Sequence, residues 1–67
     1  MLSEKMIYDA LDDAMNMHAL LNGGKKGFEK AVLRDAVYAR GGSEADLHSA
    51  MIAGLKLLLP TDSTYFS

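Results

Sequence analysis

Apolar residues recur along this chain at intervals of three and four, in three stretches separated by glycine pairs, and never at the two-residue interval of a strand. The pairs are Gly23-Gly24 and Gly41-Gly42, and glycine just past a helix end accepts the left-handed conformation that closes the last turn. The pattern predicts a first helix from about Glu4 to Asn22, with Ser3 as its cap. Leu2 and Ile7 sit at the spacing of a hydrophobic staple. A second helix is predicted from Gly27 to Arg40. A third follows Ser43, with Glu44 and Asp46 in its first turn, where the helix dipole favours acids. It should end at Leu59, because Pro60 disfavours helical geometry in the residue before it. The expected fold is all-α, a compact three-helix bundle over 1–60 with a C-terminal tail over 61–67.

At 100° per residue the helices divide their surfaces unequally. In the first, Lys5, Asp9, Asp12, Asp13 and Asn16 share one polar arc of about 100°. Most of the remainder is apolar, with Tyr8 and Met15 at the margin. In the third, Asp46, Ser49 and Lys56 are expected to face outward, and Leu47, Ala50, Met51, Ile52, Leu55, Leu57, Leu58 and Leu59 cover well over half the circumference. The second is the most amphipathic, with Phe28, Ala31, Val32, Ala36 and Ala39 expected inside and Lys26, Lys30 and Arg34 on the opposite side. A surface helix needs an apolar stripe of only about 100°. Two helices exceed that, so the excess predicts a homo-oligomer or a partner protein.

Three further features agree with that expectation. Glycine in mid-helix costs about 1 kcal/mol relative to alanine, and Ala50 with Gly54 would open a groove for another backbone. Five methionines supply flexible thioethers suited to adaptable interfaces. Tyr65 and Phe66 in the tail are expected to fold back or to reach a neighbour. Met17, Leu21, Met51, Leu55, Leu58, Tyr65 and Phe66 are therefore the predicted partner-binding residues.

Length strengthens the case. A chain of 67 residues buries only about 60% of its unfolded surface, and there is no cysteine to add a disulfide or a thiolate metal site. The absence of cysteine suits a reducing compartment, and no apolar run reaches the ~18 residues of a membrane span. A cytoplasmic location with no membrane contact is expected. The net charge of −2 is unevenly spread. Glu4, Asp9, Asp12 and Asp13 face a single Lys5 in the first segment, whereas Lys25, Lys26, Lys30, Arg34 and Arg40 form a basic island in the middle.

Chemistry is poorly served. The run Gly23-Gly24-Lys25-Lys26-Gly27 lacks the spacing and the following Ser or Thr of a phosphate loop. His48 and Ser49 diverge on a helix. Asp13 with His18, or Glu44 with His48, offers two metal ligands where zinc takes at least three. Neither catalysis nor a cofactor is expected. From Asp35 to Met51 the chain reads DAVYARGGSEADLHSAM, which resembles the DNA-binding helix-turn-helix, with Ala36 as the small residue, Gly41 as the turn glycine and Leu47 and Met51 as core anchors. The supposed recognition helix nevertheless opens on acids, and the bases lie on the helix before it.

The expected function is a small non-enzymatic protein-interaction module, a regulator, adaptor or inhibitor of the type that accompanies bacterial or phage systems. One alternative is a helix-turn-helix DNA-binding regulator. Another is an oligomer that sequesters a small anion or nucleotide, with Lys26, Lys30 and Arg34 as the anion-binding residues and Tyr8 and His18 nearby.

Overall fold

The computed structural model describes residues 1–58, and within them the chain forms three helices: α1 (Glu4–Leu21), α2 (Lys30–Ala39) and α3 (Glu44–Leu58). Tyr65, Phe66 and the predicted tail lie outside the described residues. The start of α1 follows its sequence signals. Ser3 Oγ accepts the Met6 N–H at 3.3 Å, and Leu2 and Ile7 both pack, partly buried, against the core. The helix closes through a bond from the Gly24 N–H to the Ala19 carbonyl at 2.8 Å.

The second helix begins later than the pattern predicts, at Lys30 rather than Gly27. Residues 25–29 are not helical. The His18 ring presses on Gly27, where a Cβ would sit 2.8 Å from Nε2. From this segment Phe28 packs against the core. The inner face of α2 is corrected in part: Val32 and Ala36 pack, half-buried, against the core as expected, but Leu33 and Val37, four apart, are fully buried, whereas Ala31 and Ala39 are exposed. Leu33 and Val37 carry more apolar area than Ala31 and Ala39, and the small alanines yield to them. At its end, Gly41 takes a φ of 81°. The Gly41 N–H bonds Tyr38 O at 3.0 Å and the Gly42 N–H bonds Val37 O at 2.9 Å, the paired closure of a Schellman turn.

α1 and α2 run antiparallel. Arg40, after the end of α2, pairs with Asp13 on α1, and His18 near the end of α1 meets Gly27 ahead of α2. α3 runs in the same sense as α1, with Asp46 beside Leu2 and Gly54 beside Leu11. The close approach foreseen at Gly54 is real but internal: a Cβ there would lie 2.5 Å from the Phe28 ring and 2.9 Å from Leu11. An aromatic ring of the same chain, not another backbone, occupies the space that the missing side chain leaves.

Asp46 overturns a second expectation. It is 1% exposed instead of facing solvent. Its Oδ2 accepts the Ser43 N–H at 2.9 Å and the Ser43 hydroxyl at 3.3 Å, and its own N–H donates to Ser43 Oγ at 3.4 Å. This is a reciprocal capping box in the order Ser-x-x-Asp. The Leu2 N–H donates to Oδ1 at 3.2 Å, tying the start of the chain to the start of α3. A buried carboxylate is tolerated here because every side of it is met by a donor.

The core is thin. Its fully buried apolar members are Ala10, Leu11, Ala14, Leu33, Val37, Leu47 and Ala50, and alanines contribute little area. Each of the larger four adds about 1.5–3 kcal/mol, a modest sum for a chain of this length.

Candidate protein-binding surface

Among its exposed residues the bundle leaves several large apolar side chains uncovered. On α1, Leu20 is 81% and Leu21 73% exposed; on α3, Leu57 is 59% exposed, with Ile52 and Leu55 also outside. Met6, Tyr8, Met17 and Tyr38 add smaller exposed areas. These residues belong to the apolar excess counted on the first and third helices, Tyr38 on α2 excepted.

Of the predicted partner-binding residues, Met17, Leu21 and Leu55 are exposed, while Met51 and Leu58 are half-buried. The structure does not gather them into one patch. Residues 8 and 17 lie about 180° apart around α1, so Met17 shares the side of Met6 and Asp13, the side that α2 approaches through Arg40. The opposite side of α1 forms something new. Tyr8, Leu11 and Met15 line a shallow groove of about 300 Å³ together with Leu57 of α3, and Asp9 and Asp12 stand at its edge. Tyr8, Leu11 and Met15 follow helical spacing and were legible as a stripe. The contribution of Leu57 was not, because it depends on where α3 crosses α1.

Electrostatics differ between the two outer faces. Asp9 pairs with Lys5 at 2.8 Å, and among the described residues Asp12 accepts only from the Asn16 amide at 3.4 Å. On α2, Lys30 and Arg34 are exposed. Among the described residues the only carboxylate in ion-pair range of Arg34 is the neighbouring Asp35, at 3.8 Å. Lys26 is exposed in the segment before α2, and none of the three predicted anion-binding residues lines either groove of the described residues. Asp46 is the one described residue with a clear shift in titration. The Ser43 N–H holds its carboxyl below the ordinary range; burial pushes the other way, and the Leu2 N–H, the Ser43 hydroxyl and the Met1 ammonium add to the lowering.

The helix-turn-helix resemblance meets a mixed geometry. Ala36 is half-buried, Gly41 adopts the left-handed turn, Leu47 is buried and Met51 is half-buried. The outer face of α3, however, presents Glu44, His48, Ser49, Ile52 and Leu55, with its single base, Lys56, in the last turn. Such a face offers phosphates little in its first turns. Glu44 and His48 lie 4.0 Å apart and exposed. Among the described residues no group of three His, Cys, Asp or Glu is placed to hold a metal, and no helix is long and apolar enough to cross a membrane.

Comparison with protein-family models, with curated proteins and with solved structures finds no match to this chain.

Proposed function

We propose that this chain is a non-enzymatic protein-interaction module that engages its partner through the apolar surface shared by α1 and α3. The observation that supports this reading is the exposure of large apolar side chains on these two helices, with Leu57 at the groove and Leu20 and Leu21 at the end of α1. A domain this small has few apolar residues available for its core. Leaving several of the largest outside lowers its own stability and favours contact with another protein. The groove supplies the centre of such a contact. Tyr8 offers a rigid ring, Met15 an adaptable thioether, and Asp9 and Asp12 an acidic rim that selects for a basic counterpart.

The test compares wild type with Leu57→Glu as tagged bait in a lysate of the source cells, reading bound protein by mass spectrometry and bound nucleic acid by absorbance. The expected result is a stoichiometric protein that survives nuclease treatment and is lost with Leu57→Glu. Nucleic acid released by moderate salt, with no protein captured, would sink the reading and transfer it to DNA binding.

A further inference from the structure

Two exposed features on different sides of the bundle match each other in chemistry and in length. The first is the groove of Tyr8, Leu11, Met15 and Leu57 with Asp9 and Asp12 at its edge. The second is a ridge on α2. Lys30, Arg34 and Tyr38 succeed one another at four-residue intervals, all exposed, with Tyr38 at 48%. The groove spans ~10 Å of α1 from Tyr8 to Met15, and the ridge ~12 Å of α2 from Lys30 to Tyr38, at 1.5 Å per residue. One is apolar with an acidic rim; the other is basic with one aromatic side chain.

They cannot meet within one chain. The seam between α1 and α2 is closed by Asp13 and Arg40, and the ridge flanks the buried face of α2, from about 60° around the helix from Leu33 at Lys30 to about 140° at Tyr38. Asp12 is about 100° around α1 from Asp13 and faces the groove instead. Resting on the interaction reading above, we infer that a second copy of this chain is a partner, with the Lys30–Arg34–Tyr38 ridge of one copy seated on the α1–α3 groove of the next. Tyr38 enters the apolar lining, where Met15 adapts around it. Arg34, one turn away, reaches Asp12 or Asp9. Its contact with Asp35 is long, at 3.8 Å, and largely solvated, and holds it weakly. Nucleic acid is the less suitable occupant, because it would meet the ridge alone and leave the acidic-rimmed groove without a counterpart.

The two surfaces are different patches, so the contact is heterologous, and every docked copy still carries one free groove and one free ridge. Association is therefore open-ended and weakened by salt. Sedimentation velocity on the full chain should show an average mass that climbs with concentration and does not level off at a dimer. Asp12→Lys and Arg34→Glu should each weaken association about tenfold. Mixing the two variants, or combining them in one chain, should restore it, a rescue that a folding defect does not produce. A chain that stays monomeric, or association indifferent to both reversals, overturns the inference. If the chain is monomeric yet still captures a stoichiometric protein that Leu57→Glu loses, the interaction reading stands and only self-docking fails.

Discussion

The two ends of α3 handle their side chains in opposite ways. At the start, a charged residue, Asp46, is buried, and its carboxylate is met by the N–H groups of Ser43 and Leu2 and by the Ser43 hydroxyl. Further along, Ile52, Leu55 and Leu57 stand in solvent, as do Leu20 and Leu21 at the end of α1. Polarity alone would have placed these residues the other way round. The difference separates two roles. A buried carboxylate with a full set of donors adds to the folded state and fixes how the elements join. An exposed leucine with no cover adds little to folding, and on the proposed reading it serves a partner.

The largest effect is expected from Asp46→Ala, which strips the Ser43 and Leu2 N–H groups of their acceptor and unties the chain start from α3. Its melting temperature by circular dichroism should fall further than that of any single substitution among the solvent-exposed polar residues. An unchanged value would show that the capping box is ornamental and remove the contrast.

Acid sharpens the same contrast. Asp46 titrates lower in the folded chain than its ordinary 3.8. Its contribution to stability is therefore fully present above that value and is lost as pH falls through the lowered folded value. Thermal melts of wild type should weaken in that acid window, and Asp46→Asn, which cannot ionise, should lose this part of the pH dependence. A variant whose acid profile superimposes on wild type would assign the effect to other carboxylates.

The smallest effect on stability belongs to the open end. Leu20→Glu should change unfolding free energy by no more than about 0.5 kcal/mol in urea titration, because its side chain touches little that folding buries. A loss of several times that amount would mean that Leu20 serves the fold and is not reserved for a partner.

Much of the architecture was legible in the residues. The glycine pairs marked both turns, Ser3 and Ser43 marked two helix starts, and the apolar stripes set the number of helices, because these signals act within a few residues of themselves. The errors came where distant residues compete. Phe28 reads as part of a helix face, yet Gly27 takes a φ of 151° against the His18 ring, and the helix starts three residues later at Lys30. Asp46 reads as a solvated acid, although the local Ser-x-x-Asp spacing is that of a capping box; the distant part of its burial is the tie to Leu2.

The candidate site divides in the same way. That α1 and α3 carry more apolar surface than one small bundle can hide follows from composition and periodicity, since hydrophobic area is a property of the side chains themselves. Which part of it stays outside, and that Tyr8, Met15 and Leu57 form one groove while Met17 points to the other side, was decided only by the crossing of α3 over α1. Helical periodicity fixes directions around a single axis. Only packing relates one axis to another, and here the fit of Phe28 over Gly54 and the tie from Leu2 to Asp46 set that relation.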